Sequence, residues 1–318
     1  MQGAKPVLVI GSLNMDLVVR CEHLPQTGQT IFGSDFFTAA GGKGANQAVA
    51  AARLGARVAL AGCVGDDPFG RDLLAALQRD GVRSDEVRTV PRPTGTALIT
   101  IDGQGANTIV VVSGANAACD RAVVDRALPG NDGPGILLLQ HEIPEAANAH
   151  AIRMARAAGW FVVLNPAPAR PIAADLLPLI DVVAPNETEA AALTSAGDAD
   201  EAARRLLALG ARGVLITLGS QGALYSDGRN TLRCPAVPVQ AVDTTAAGDA
   251  YIGALAAALA AGSEIAGALG FASAAAAFAV TRLGAQPSLG TRAEVLAFIQ
   301  RCGTPVAKPA APSDVQET

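Results

Sequence analysis

The chain has 318 residues, 50% of them hydrophobic, and a formal net charge of −5. That is enough apolar surface for a large core, and without any basic cluster it excludes nucleic acid as a main partner. The longest alanine-rich run, 254–261, is too short and too weakly apolar to span a membrane. Five scattered cysteines (Cys21, Cys63, Cys119, Cys234, Cys302) lack paired spacing, and His23, His141 and His150 lack ligand spacing. Disulfides, a zinc centre and histidine-centred catalysis are therefore disfavoured, and a reducing cytoplasm is expected.

The run Val7-Leu8-Val9-Ile10 reads as a buried first strand, since no small-residue cleavage site follows to make it a signal peptide. It ends on Gly11-Ser12-Leu13-Asn14-Met15-Asp16. Ligands of open α/β sheets bind beyond the carboxyl ends of the strands, so Asn14 and Asp16 are placed to touch one. An amide and a carboxylate suit vicinal hydroxyls; an Asx turn explains the same residues. Residues 22–37 show no helical period.

Next, Ala40-Gly41-Gly42-Lys43-Gly44-Ala45-Asn46-Gln47 leads into a helix predicted over 45–54. Its glycines allow a ligand close to the backbone, with Asn46 in the first turn; a plain capped turn is the alternative. It is not a P-loop. Phe37 stands where GxxxxGK[ST] needs its first glycine, and Gly44 replaces the hydroxyl residue. No dinucleotide fingerprint joins a strand to a helix either.

A strand over 58–61 and a helix over 68–78 follow. The segments 96–101 and 108–112 flank Asp102-Gly103-Gln104-Gly105-Ala106-Asn107, a hairpin signature. Such a hairpin is either an edge decoration or part of a small sheet covering a site. Strands at 136–139, 161–164, 181–183 and 214–218 then alternate with helices at 145–158 and 200–209, and most helices run into a glycine suited to a C-cap. Continuous apolar strands separated by helices predict a mostly parallel sheet covered on both faces, an α/β/α sandwich.

Several junctions along this stretch carry chemistry. Gln140-His141-Glu142 ends a strand and turns Glu142 to the ligand edge. Asn186-Glu187-Thr188-Glu189 opens a helix with Asn186 and Glu189 on one face, fit for hydrated magnesium and equally for a capping box. The turn Thr217-Leu218-Gly219-Ser220-Gln221-Gly222 suits a phosphate contact or a hairpin. Finally, Asp243-Thr244-Thr245-Ala246-Ala247-Gly248-Asp249 precedes a long alanine-rich helix. Small residues let backbone N–H groups converge at that helix start, where the macrodipole attracts an anion, and Asp249 sits in the first turn. An anion cradle beside a proton acceptor is what phosphoryl transfer to a hydroxyl needs. A capped helix whose acid complements the dipole is the plain alternative. Residues 303–318, rich in proline and alanine, read as a disordered tail.

Together these motifs resemble the ribokinase family of small-sugar kinases, over residues 7 to about 299. The Gly-Gly-Lys-Gly-Ala-Asn-Gln loop and the Asp-Thr-Thr-Ala-Ala-Gly-Asp segment carry the resemblance; other branches usually keep only the glycine pair and a looser G-x-G-D. The resemblance implies a Rossmann-like kinase domain over 1–302 with a small β-sheet lid from segments near 15–40 and 94–113, and lids that pair in a homodimer. It implies ATP-dependent phosphorylation of ribose at O5. Asn14, Asp16, Gly42, Lys43, Asn46, Glu142 and Asp249 would hold the sugar, with Asp249 the base and Ala246, Ala247 and Gly248 the anion hole.

By the same resemblance Asn186, Thr217, Leu218, Gly219, Ser220, Gln221, Gly222 and Gly248 would line the ATP site, and Glu189 would organise Mg2+ indirectly. Asp243, Thr245, Ala279, Arg282, Gly284 and Ser288 resemble a K+ site. Ser273, also in the ATP set, departs from the asparagine these kinases commonly place near adenine. The rivals are a kinase for 2-deoxyribose or another small sugar, and a catalytically silent sugar or nucleotide sensor. A nicotinamide-dependent oxidoreductase lacks its fingerprint.

Overall fold

The computed structural model describes residues 4–130 and 133–310. Its strands, numbered along the chain, fall into two sheets among the described residues. The larger contains β1 (Val7–Ile10), β4 (Val58–Gly65), β5 (Arg83–Val90), β8 (Ile136–Gln140), β9 (Phe161–Asn165), β10 (Val182–Val183), β11 (Val214–Thr217), β12 (Ala223–Ser226), β13 (Thr231–Cys234) and β14 (Lys308–Pro309). The smaller contains β2 (Asn14–Cys21), β3 (Gly33–Gly41), β6 (Gly95–Ile101) and β7 (Asn107–Val112).

In the large sheet the order is β14-β13-β12-β11-β10-β9-β8-β1-β4-β5. From β5 to β11 every pairing is parallel; β12, β13 and β14 add antiparallel edges. Along β1, Val7 and Val9 enter one core while Leu8 and Ile10 enter the other, so both faces are covered. Over the first face lie α1 (Lys43–Arg53), α2 (Pro68–Arg79), α7 (Ala247–Ala260), α8 (Ile265–Ala279) and α9 (Arg292–Cys302). Over the second lie α3 (Arg121–Ala127), α4 (Glu145–Ala157), α5 (Glu187–Thr194) and α6 (Ala199–Ala208). This is the expected three-layer α/β/α architecture. Gly55, Gly81, Gly159 and Gly210, just past four of the helices, all take positive φ, as left-handed C-terminal caps do.

The sheet reverses its winding at β1, whose neighbours are β4 on one side and β8 on the other. A crevice therefore opens beyond the carboxyl ends of β1 and β8, at Gly11–Asn14 and Gln140–Glu142. One close helix contact shapes what stands over it. A Cβ on Gly253 of α7 would lie 2.5 Å from Ala50 Cβ and 2.7 Å from the Gln47 carbonyl of α1. Only glycine lets these helices approach so closely. Because Asp249 and Gly253 are four residues apart, and Asn46 and Ala50 likewise, the contact brings Asn46 and Gln47 against Asp249.

The small sheet has the order β3-β2-β6-β7 and begins at the crevice, where Asn14 pairs with both Gly41 and Gly95. The segment read as irregular before residue 41 thus supplies β3, and the predicted hairpin supplies β6 and β7. Phe32, Phe36, Leu98, Ile109, Val110 and Val112 are all about half exposed or more.

Other differences have local causes. The polar edge strand β5 and the hairpin of β12 and β13 lack continuous apolar runs, so they escape a search for buried parallel strands. The loop holding Gly42 leaves the small sheet's β3, and Asp243–Asp249 follows β13 through a long connection; neither junction directly ends a parallel strand. Residues 303–310, expected as part of a disordered tail, are described as an ordered segment: Arg233 pairs with Lys308 and Leu232 with Pro309, which covers the β13 edge. The rest of that expected tail, 311–318, lies outside the described residues.

Candidate active site

Asp249 is the centre of the arrangement. It lies in the first turn of α7 and is buried, with both carboxylate oxygens occupied by amide donors. Asn46 Nδ2 donates to Oδ2 at 2.9 Å and Gln47 Nε2 to Oδ1 at 3.0 Å. Asn46 Oδ1 is buried with no partner, so it stands ready to accept from a ligand hydroxyl beside the carboxylate. The helix begins at Ala246, whose φ of 59° is left-handed and strained for a residue with a side chain. This turn aims the N–H groups of the first helical turn at the cavity. Of the three predicted cradle residues, Ala247 already has its N–H engaged, by the Thr244 carbonyl at 3.2 Å.

The N-terminus of α1 is built from three directions. Its capping position is Gly42, at φ 88°, where a Cβ would meet Asn14 N at 2.7 Å. Gly42 has no side chain to offer the helix, so Glu142 arrives from the end of β8. Its Oε2 accepts from Lys43 N at 3.0 Å and from Ser12 Oγ at 2.5 Å, while Ser12 Oγ accepts from Gly44 N at 3.2 Å. The carboxylate thereby satisfies donors at the helix's positive end.

Two cavities meet this machinery. One of about 200 Å³ is lined by Lys43, Asn186, Glu189, Thr217, Ala246, Ala247, Gly248 and Asp249, joining the predicted base, cradle and nucleotide residues in one space. The other, of about 480 Å³, holds Asn14 and Glu142 together with Asn116, His141 and Arg170. Burial, with Glu142 and Asp249 close by, raises the Asp16 carboxyl to about 7. At Lys43 burial opposes the charge, but the carboxylates of Asp249, Glu142 and Glu189 outweigh it and raise the ammonium's pKa. Burial also raises the Glu189 carboxyl, against the opposing effects of the Asn186 N–H and Lys43.

The remaining sequence-derived residues divide clearly. Asn186 and Glu189 form a complete capping box: Asn186 Oδ1 accepts from Glu189 N at 2.8 Å and Glu189 Oε2 from Asn186 N at 2.9 Å. Both still face the smaller cavity. Leu218–Gly222 is the turn joining β11 to β12, closed by Leu218 N donating to the Gly222 carbonyl, and of this segment only Thr217 lines the cavity. Ser273 lies inside the core on α8, sharing its hydroxyl with Cys234 Sγ at 3.4 Å, and lines neither cavity.

Asp243 binds two loops together, accepting from Thr245 N and from Gly284 N at 2.8 Å each. Burial works against its charge, but these donors and the Thr245 hydroxyl hold the carboxyl below its usual range. Asp243 N also points at the Val280 carbonyl. Asp243, Thr245 and the 279–284 loop are therefore neighbours. Ser288 is buried and donates to the Ala285 carbonyl at 2.8 Å, within its own turn, and the Arg282 guanidinium stacks on Phe278, 4.3 Å from the ring centre.

Asn116 did not stand out in the sequence. It accepts from Leu13 N at 2.9 Å and donates to Leu13 O and to Asn14 Oδ1, at 3.0 and 2.7 Å. That fixes the Asn14 amide with its N–H2 free to donate. Only its position just after the hairpin hints at this. Gln47, Gln140 and Asn165 were missed too, because buried amides have no sequence periodicity of their own. Among the described residues no group of three or more His, Cys, Asp or Glu side chains is placed to hold a metal, and no helix is long and apolar enough to cross a membrane.

A buried carboxylate with a fixed lone pair, beside a hydroxyl acceptor and a helix N-terminus, is equipped to deprotonate an alcohol while an anion is transferred to it. A family model described as pfkB family carbohydrate kinase matches residues 4–292. The chain is 43% identical to a ribokinase of Bacillus subtilis, over 91% of this chain and 97% of that one. It is 42% identical to a ribokinase of Schizosaccharomyces pombe, over 91% and 96%. The structure of Arabidopsis thaliana ribokinase complexed with ribose and ATP is similar with a TM-score of 0.85 and 36% identity, covering 93% of this chain and 99% of that chain.

Proposed function

The chain belongs to the pfkB family of carbohydrate kinases, and from that premise we propose that it is a ribokinase, moving the terminal phosphoryl group of ATP to O5 of D-ribose. The observation that carries the reaction is Asp249, held by Asn46 and Gln47 at the mouth of a helix N-terminus. The curated relatives named ribokinase and the related structure with ribose and ATP support the substrate pair.

Asn14 and Asp16 take the vicinal hydroxyls, Glu142 and the Gly42–Lys43 backbone meet the sugar's other end, and Asn46 Oδ1 accepts from a hydroxyl near the reacting one. Asp249 receives the O5 proton. As the O5–P bond forms and the bond to the ADP oxygen breaks, Gly248 N–H and the Lys43 ammonium face the transferring charge. In a loose transition state that proton leaves late, so a well-placed carboxylate suffices as base.

Asn186 and Thr217 flank the nucleotide. Glu189 Oε1 is free to accept from the water shell of Mg2+, which when bound neutralises charge on the phosphates. Around Asp243 the available donors are oxygens of one carboxylate and backbone carbonyls, a set that suits a hard monovalent cation such as K+. The compartment is the cytoplasm, consistent with five free thiols.

A coupled ADP-release assay over pentoses and hexoses, with and without K+, tests the reading. Ribose should show the highest kcat/KM, 2-deoxyribose should fall about 10–100-fold below it because Asp16 loses a hydroxyl partner, and K+ should raise the rate. A hexose ranking first, or no ADP release with any sugar, overturns it.

The small sheet acts as the lid over the sugar. Its exposed Phe36, Leu98 and Val110, which the strand register sets on one face, form an apolar surface of the kind that dimers cover. We assign this surface to a homodimer. Val110→Asp should convert dimers to monomers in sedimentation, and a monomeric parent protein would refute the assignment.

A further inference from the structure

A chain of buried amides runs away from Asp249 into the sheet, and its polarity is set at both ends. Asn165 Nδ2 donates to the Ala184 carbonyl at 2.8 Å, so Asn165 must present Oδ1 to its other neighbour. That neighbour is Gln47, whose Nε2 donates to Asn165 Oδ1 at 3.1 Å and to Asp249 Oδ1 at 3.0 Å. Both acceptors demand N–H from the same nitrogen. Gln47 Oε1 then faces the other way and accepts from Gln140 Nε2 at 2.7 Å. Gln47 and Gln140 are fully buried. Room for the Gln140 amide exists only because Gly11 has no side chain: a Cβ there would lie 2.2 Å from Gln140 Oε1.

We propose that Gln47 is a positioning residue for phosphoryl transfer, holding the Asp249 carboxylate at one angle through an amide that Asn165 and Gln140 prevent from rotating. This rests on the assignment of Asp249 as base. Turning the Gln47 amide over would put its oxygen against Asp249 Oδ1 and Asn165 Oδ1 and its nitrogen against the Gln140 donor. Even if Gln140, whose Oε1 has no partner, turned with it, the two hydrogen bonds to Asp249 and Asn165 would be lost and like poles brought together, so the flipped state is excluded. Asp249 keeps one oxygen engaged from the sheet side and offers its remaining lone pairs towards the cavity. The amide cannot accept a proton from Oδ1, so the proton taken from the sugar stays on the cavity side, where it can leave.

The test is Gln47→Glu, which keeps shape but sets a second carboxyl against Asp249 and Asn165. The two acids must then share a proton. With the best sugar of the parent enzyme, kcat at pH 7 should fall about 100-fold, sugar KM should stay within about threefold, and the acid limb of the kcat–pH profile should move up by more than about one pH unit. A profile and kcat like the parent's would overturn the proposal, as would a loss confined to thermal stability.

Should that variant not fold, Gln140→Met decides. It removes the Gln140 hold on the Gln47 amide without touching Asp249, and it should lower kcat at least about fivefold at unchanged sugar KM. An unchanged kcat overturns the proposal. A parent enzyme that releases ADP only with sugars other than ribose would instead refute the substrate assignment and leave this comparison intact.

Discussion

Replacing Asp249 by alanine is expected to lower kcat by about 10²–10⁴-fold, the range general-base catalysis supplies, with sugar binding weakened far less. Asp249→Asn should be nearly as damaging, for a different reason. Asn46 Nδ2 and Gln47 Nε2 both donate to the carboxylate. A carboxamide in its place must turn its own N–H2 towards one of those donors, so either Asn46 or Gln47 is forced away. The asparagine variant should therefore disturb sugar KM more than the alanine variant does, although it is the closer mimic in shape. Steady-state kinetics on both variants checks this. A kcat within about tenfold of the parent for Asp249→Ala removes the residue from the chemistry.

The second large effect concerns Asp16. Burial, followed by the neighbouring Glu142 and Asp249 carboxylates, raises its pKa to about 7. Only the ionised carboxylate accepts from two hydroxyls at once, so the sugar binds the deprotonated form and displaces a proton. The sign follows: sugar KM is level above pH about 7 and rises as pH falls below it, by up to about tenfold per pH unit.

Asp16→Asn should abolish this slope and reduce kcat/KM at pH 8 by about 10²–10³-fold, from two charge-assisted hydrogen bonds of about 1.5–3 kcal/mol each, incompletely additive. Measuring KM for ribose between pH 5.5 and 8.5 in both proteins separates the cases. A parent KM independent of pH, or a variant with parental KM, takes Asp16 out of the sugar site.

Much of this site was legible in the sequence because its parts sit where chain geometry is special. Gly42 needs a positive φ, Asn186 caps a helix, and Asp249 lies in a first turn; each leaves a signature of residue type at a fixed offset. The parallel strands were equally plain, since burial on both faces forces continuous apolar runs such as Val7–Ile10.

What stayed hidden had no local cause. Asn116 meets Asn14 at a sequence separation of 102, and Gln140 reaches Gln47 at a separation of 93, contacts that exist only once the sheet has brought distant segments together. The polar edge strand β5 and the strand at Lys308–Pro309 were missed because edge positions tolerate the residues that loops prefer. Ser273 shows a different constraint: the core meets its hydroxyl with Cys234 Sγ.

The glycine at 253 divides the molecule mechanically. Asn46, Gln47 and Asp249 are locked by a contact between α1 and α7 in which the Gly253 backbone lies against Ala50. Such a junction has little void and little compressibility, so it behaves as a stiff jig. Asn14 and Asp16, by contrast, begin the strand that leads out into the small sheet. A wedge as small as a methyl group at position 253 would part α1 from α7 and draw Asn46 and Gln47 away from Asp249.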